Sequence, residues 1–263
     1  MTVALILAFI LLFMRFTAFT TTVPLIGAQH VPPHVQIGLA AFLAAVSLAA
    51  NPTIATSLVA HGVGAHGLDF QFLGLVIAEL AIGLLLSLVV TAWFTTMQLA
   101  GFLQGFQMGF TIANVVDPIS QQQASIFGQL HFFIALLVFL AVDGHLLILR
   151  GMVESVRLIP PGELALTGPT VEVMVRLMQG IFWGGLQFAL PVIGTILVID
   201  LGLGVIARTV PQMNVFMVGL PLKAAVGLLI LMLSFGATSS IYGFFLRQGI
   251  DQWMRLMPLL RVH

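Results

Sequence analysis

Long apolar runs, broken by short stretches rich in turn-forming residues, set the pattern of this chain. A helix needs about 20 apolar residues to cross about 30 Å of hydrocarbon. Six regions reach that length, near residues 3–23, 36–60, 72–98, 126–149, 178–206 and 217–245. The pattern predicts an all-α fold of six long hydrophobic helices. Neither strand alternation nor a tandem repeat competes with that reading. The runs are separated by Pro24 with Pro32 and Pro33, by Gly62, Gly64 and Gly67, by Asp117-Pro118, by Pro160-Pro161-Gly162 with Gly168-Pro169, and by Pro211 with Asn214. None of these has the composition of a linker, so residues 1–263 are expected to form a single domain.

Composition agrees with a membrane class. Hydrophobic residues make up 60% of the 263 residues and charged residues 7%, against about a quarter charged in soluble domains. So few polar groups could not cover such a core with a wettable surface. Nine basic and nine acidic side chains cancel, which leaves no electrostatic footprint for nucleic acid. With no cysteines, disulfides and thiolate metal sites are excluded. The N-terminal run lacks a basic flank and a small-residue cleavage site, and is expected to be a retained first helix. Arg150, Arg157, Arg176, Arg247, Arg255 and Arg261 fall on the side shared with both termini and Arg208 on the other. The positive-inside bias therefore predicts cytoplasmic termini.

One interruption differs from an ordinary turn. Residues 101–123 read GFLQGFQMGFTIANVVDPISQQQ. Gly101, Gly105 and Gly109 recur every four residues and would form one flat helical face, with Phe102, Phe106, Met108 and Phe110 as deformable apolar groups beside it. Asn114, Asp117 and Pro118 are then expected to end the helix. A greasy, pliable segment before a hard stop suits a closure element; a Gly-rich packing loop is the plainer alternative. Gly180 and Gly184 make a second small-residue pair, near Gly185, Gly194 and the kink expected at Pro191.

Polar groups inside the runs need partners. Glu79, His131, Asp143, His145, Asp200 and Lys223 all lie within apolar segments, where a charge costs about 2.5–3.5 kcal/mol on insertion scales. Interhelical pairing, such as Asp200 with Arg208 or Lys223, is one reading, and a proton relay is the other. No HExxH, P-loop, GxSxG or dinucleotide fingerprint is present. Asp143-Gly144-His145 lacks further metal ligands and reads as a helix terminus, with Gly144 loosening the backbone and His145 capping it. No enzyme, cofactor or metal is expected.

Three separated blocks carry a resemblance: GFQMGFTIANVVDP at 105–118, FLAVDGHLLILRGMVESVRLIPPG at 139–162 and DLGLGVIARTVPQMNVFMVGLPLK at 200–223. With the region from Arg15 to Pro33 and the order of the runs, they resemble the FliR family of flagellar export-gate proteins and, more distantly, the SctT proteins of injectisomes. The resemblance implies a non-catalytic, multi-pass subunit of the bacterial inner membrane and flagellar basal body. It implies assembly with FliP and FliQ homologues in a helical hetero-oligomer, FlhB and FlhA nearby, and unfolded exported proteins in transit. Membrane lipid would be a further neighbour. It also implies bent helical hairpins raised largely out of the bilayer plane.

On this family pattern the plug maps onto Phe106, Gln107, Met108, Gly109, Phe110, Asn114, Asp117 and Pro118. Gly101, Gly105, Gly180 and Gly184 become close-packing positions. Glu79, Asp143, His145, Asp200, Arg208, Gln212, Asn214 and Lys223 become buried polar or assembly positions. Two other classes remain as alternatives: a six-helix secondary transporter using Glu79, Asp143 and Asp200, and an intramembrane hydrolase centred on His131, Asp143 and His145.

Overall fold

The computed structural model of the chain describes residues 2–27, 31–54, 70–110, 125–165 and 167–261. Seven helices are defined among them: α1 (Thr2–Thr22), α2 (Pro33–Ala50), α3 (Phe70–Gln107), α4 (Ile126–Ala141), α5 (Gly144–Leu158), α6 (Gly168–Thr209) and α7 (Val215–Leu259). No strand occurs among the described residues beyond the isolated bridge between Leu164 and Arg261. Each of the six apolar runs is largely helical where it is described. Five helices are long and apolar enough to cross a membrane, and α4 with α5 makes a sixth candidate if the broken pair is one span.

Helix boundaries follow local chemistry. Pro33 opens α2, where its missing N–H costs nothing, and Asn51 closes it, its side chain donating to the Ser47 carbonyl at 3.0 Å. α6 begins earlier than the apolar run, at Gly168, because Pro169 is tolerated in a first turn. It then runs through Pro191 as one helix. At the start of α7 the Asn214 carboxamide oxygen accepts the N–H groups of Phe216 and Met217, the N-cap arrangement.

The fourth run is broken where continuity was expected. Asp143 takes a left-handed conformation (φ 56) and stands at the N-cap of α5. A helix terminus therefore does form at Asp143-Gly144-His145. The left-handed residue is Asp143, Gly144 is the first helical residue, and His145 is not the cap.

The chain divides into two compact units. The first comprises residues 1–92, 142–177 and 247–263, and the second residues 93–141 and 178–246. In the first, α2 packs on α1, and Leu11, Leu12, Phe16 and Phe19 are buried along with Ile82, Leu86, Met152 and Leu256. Trp253 donates its indole N–H to the Leu86 carbonyl at 3.0 Å, while its ring covers Gly151, where a Cβ would collide with it. The end of α7 is fastened to the α5–α6 connection by Ala165 N–H to the Leu260 carbonyl at 2.9 Å and by Arg261 to Glu163 at 2.9 Å.

The second unit has an aromatic interior. Trp93, Phe94 and Phe139 pack together, with Phe132 against Phe94. Phe188 touches both Tyr242 and Phe245. A smaller cluster joins Met108, Phe127, Val192 and Ile196.

Candidate functional site

The end of α3 is the centre of the candidate site. Gly101 lies so close to α4 that a Cβ would strike the Phe127 carbonyl, and Gly105 faces the Phe127 ring and Ser125. Both glycines thus lie on the side of α3 that meets the start of α4. Gly109 does not extend that row, because α3 stops at Gln107. The stop is local: Gly109 N–H donates to the Phe106 carbonyl and Phe110 N–H to the Gly105 carbonyl, both at 3.0 Å, with Gly109 at φ 89. That pair of bonds is a Schellman motif, which needs a left-handed residue at this position. The helix therefore ends before the stop expected at Asn114, Asp117 and Pro118, which lie outside the described residues.

The side chains beside this terminus divide sharply. Met108 is fully buried against Val192 and Ile196, and against Gly227 on α7, where a Cβ would overlap the methionine sulfur. Phe106 and Phe110 are exposed and Gln107 is half-buried. Phe110 still touches Phe127, with ring centroids 4.9 Å apart. A groove of about 580 Å³ opens here, lined by Phe106, Gly109, Leu203, Phe216, Asp200 and Lys223 among others.

A buried polar chain stands one turn earlier. Gln104 donates from its amide nitrogen to the Phe188 carbonyl at 3.1 Å and accepts at Oε1 from His131 Nε2 at 2.8 Å. An amide oxygen can only accept, so Nε2 carries the proton and Nδ1 is left to accept from the Tyr242 hydroxyl at 2.5 Å. Four helices, α3, α4, α6 and α7, are joined by these three bonds. Both ring nitrogens of His131 are thereby occupied.

The first unit has its own buried polar centre. Arg15 and Glu79, both without solvent exposure, pair at 2.6 Å. Arg15 also donates to the Ser155 and Ile159 carbonyls at 3.1 and 2.9 Å, placing a positive charge at the C-terminal end of α5.

The remaining polar positions are placed as follows. Lys223 pairs with Asp200, which decides between the two partners weighed for it; both are partly buried, with side-chain exposures of 22% and 37%. Arg208 is exposed in the last turn of α6, Gln212 is exposed beyond it, and Asn214 is the exposed cap of α7. Asp143 is exposed, while His145 is half-buried, its Nδ1 without a partner among the described residues. In the single chain these positions are therefore not a buried set: only Glu79 is fully enclosed. Of the second glycine pair, Gly184 packs against Thr96 and Phe245, but a Cβ at Gly180 would meet nothing among the described residues, as at Gly194. No group of three or more His, Asp or Glu that could hold a metal is found among the described residues.

Arg15, Gln104, Tyr242 and Gly227 were not singled out from sequence as functional positions. Two of them carried a signal: Arg15 is a lone charge within an apolar run, and Tyr242 is the only tyrosine of the chain.

Residues 6–248 match the family described as bacterial export proteins, family 1. The flagellar biosynthetic protein FliR of Bacillus subtilis (strain 168) is 35% identical over 230 residues, covering 85% of this chain and 84% of that protein. FliR of Escherichia coli (strain K12) is 31% identical over 215 residues, covering 82% and 79%. The secretion system apparatus protein SsaT of Salmonella typhimurium is 30% identical over 170 residues, covering 64% and 66%.

Proposed function

We propose that this chain, which belongs to the bacterial export proteins, family 1, is a core subunit of the flagellar type III protein export gate. It is an export component and not an enzyme. In this reading it sits in the bacterial inner membrane at the flagellar basal body. FliP and FliQ homologues flank it, FlhB and FlhA homologues lie nearby, and unfolded flagellar proteins pass through the assembly. The whole chain acts as one gate domain, with both termini in the cytoplasm.

Its apolar surface supports a life among neighbours. Only 11% of the Val215–Ser234 window and 22% of the Gly168–Thr209 window are buried within the chain, against 56% for Val3–Thr22. Phe182, Trp183, Phe216, Met217, Met232 and Leu233 are among the large apolar side chains left exposed. Such faces require lipid or another subunit. Asp143, Arg208 and Gln212, exposed in the single chain, would then meet neighbouring subunits.

The closure role rests on one observation, the contrast at the end of α3. Met108 is buried while Phe106, two residues before it, and Phe110, two residues after it, stand exposed. Aromatic side chains at a helix end closed by a left-handed glycine can fill an irregular constriction and be displaced by an entering polypeptide. Phe106 to Phe110, continued through Asn114, Asp117 and Pro118, would form that plug.

Two measurements test the reading. Tagged chain drawn from membranes should bring FliP and FliQ homologues with it; recovery as a folded, solitary carrier of a small solute would overturn the gate assignment. Deleting residues 110–118, which spares the packed Gly105 and Met108, should leave an assembled gate that leaks ions. Wild-type conductance from such a gate would reject the plug.

A further inference from the structure

We infer that the groove where α3 meets the start of α4 is a contact surface for the backbone of the polypeptide in transit, with Thr95, Gln98, Ser125 and Gln129 as its hydrogen-bonding groups. The assignment rests on the export-gate reading above and names the face of the chain that meets the cargo.

The groove has a volume of about 420 Å³ and is lined by Thr95, Gln98 and Phe102 on one side and Ser125, Gly128 and Gln129 on the other. Thr95, Gln98 and Phe102 share one side of α3 through their three- and four-residue spacing. Two glycines bring the walls together. A Cβ at Gly101 would strike the Phe127 carbonyl, and one at Gly128 would stand 3.2 Å from the Gln98 carbonyl oxygen.

Polar side chains are sorted into this one place. From Trp93 to the end of α3 the exposed side chains are Thr95, Gln98, Phe102 and Phe106. Along α4, Gln129 is the one exposed polar side chain, beside Ile126, Leu130, Phe133, Leu137 and Leu140. Every exposed polar side chain on these two stretches therefore opens into the same groove, and the rest of their exposed surface is apolar.

That sorting indicates what covers the groove. The carboxamides of Gln98 and Gln129 have no partner among the described residues. Lipid tails offer them none, and polar side chains within membrane segments face protein or a water-filled cavity. Each carboxamide presents two N–H donors and a carbonyl acceptor, and each hydroxyl can do either. These are the groups that pair with peptide bonds. An unfolded chain carries unpaired N–H and C=O groups along its whole length, and enclosing them without partners is costly. A helical neighbour pairs its backbone internally and has no such need. None of the four side chains is charged, so the groove does not select cargo side chains by sign, and Phe102 adds an apolar surface for whatever side chains pass. The backbone is the one feature that all unfolded proteins share.

Because the chain has no cysteine, a single introduced thiol reports on its own surroundings. In an assembled gate holding an export substrate arrested by a fused folded domain, Gln98→Cys and Gln129→Cys should each crosslink to cysteines placed in the arrested segment. Leu137→Cys, exposed among the apolar side chains of α4, should not. Crosslinks from positions 98 and 129 to a gate subunit, or to nothing, would overturn the assignment, as would equal crosslinking from position 137.

Export provides a second readout. Gln98→Leu with Gln129→Leu should leave complex recovery unchanged and lower export several-fold, while Gln98→Asn with Gln129→Asn, which keeps both amides, should retain most of it. Wild-type export from the leucine pair would show that cargo needs neither group, and loss of the complex would show that a subunit fills the groove; either result sinks the proposal. Absence of FliP and FliQ homologues from the purified chain would instead remove the export-gate reading itself, so the two failures are distinct.

Discussion

Arg15 and Glu79, 64 residues apart in sequence, meet as an ion pair at 2.6 Å with no solvent exposure on either side chain. The guanidinium donates from its two terminal nitrogens to two carbonyls at the end of α5, so α1, α3 and α5 converge on one charge. A pair of this kind is expensive to desolvate, and it stabilises only because its geometry and extra hydrogen bonds offset that cost. Gly83 permits the approach, since a Cβ there would meet the Arg15 carbonyl.

Removing one member should therefore be far worse than removing both. Arg15→Met leaves Glu79 as an uncompensated buried charge, at a cost of about 3–5 kcal/mol. The chain should fall to a low level in membranes and unfold earlier in detergent. Arg15→Met with Glu79→Met should recover most of that loss. A double variant no better than the single one would show that the pair is not the source of the defect.

The two glycines of the GxxxG pair should respond in opposite ways. At Gly184 a Cβ would press on Thr96 and Phe245, so Gly184→Ala should destabilise by about 1–3 kcal/mol. At Gly180 the same Cβ meets nothing among the described residues, and alanine should stabilise the helix by up to about 1 kcal/mol through its higher propensity. Thermal unfolding of the isolated chain in detergent separates them. Equal destabilisation at both positions would contradict the one-sided packing.

Lys223 and Asp200 line the groove beside Phe106 and Gly109. Their partial exposure limits the pair to about 1 kcal/mol or less in the single chain. A neighbouring subunit that excludes water would raise that value. Lys223→Ala should thus barely change the isolated chain yet weaken incorporation into the gate. The charge-reversed double variant, Asp200→Lys with Lys223→Asp, should restore incorporation. Normal recovery of intact complex with Lys223→Ala would remove the assembly role.

What the sequence alone determined was local and periodic. Six apolar runs became helices because run length and turn chemistry act over a few residues, and Pro33, Pro169 and Asn214 mark their boundaries by backbone rules that need no tertiary context. The likeness to FliR proteins was legible for a related reason: it resides in residue order.

Partner choice was not legible. Glu79 needed Arg15, His131 needed Gln104 and Tyr242, and Met108 needed the space at Gly227, each across at least 27 residues of chain. An apolar run reads the same whether its face meets another helix, a lipid or a subunit, since hydrophobicity has no direction. The early stop of α3 illustrates the same limit in miniature. Gly109 fits a helical four-residue repeat and a left-handed cap equally well on paper, and packing of Met108 and the Gly105 turn selected the cap. Tertiary structure decided these matters because enclosing a charge, a ring nitrogen or a thioether depends on what arrives from elsewhere in the chain.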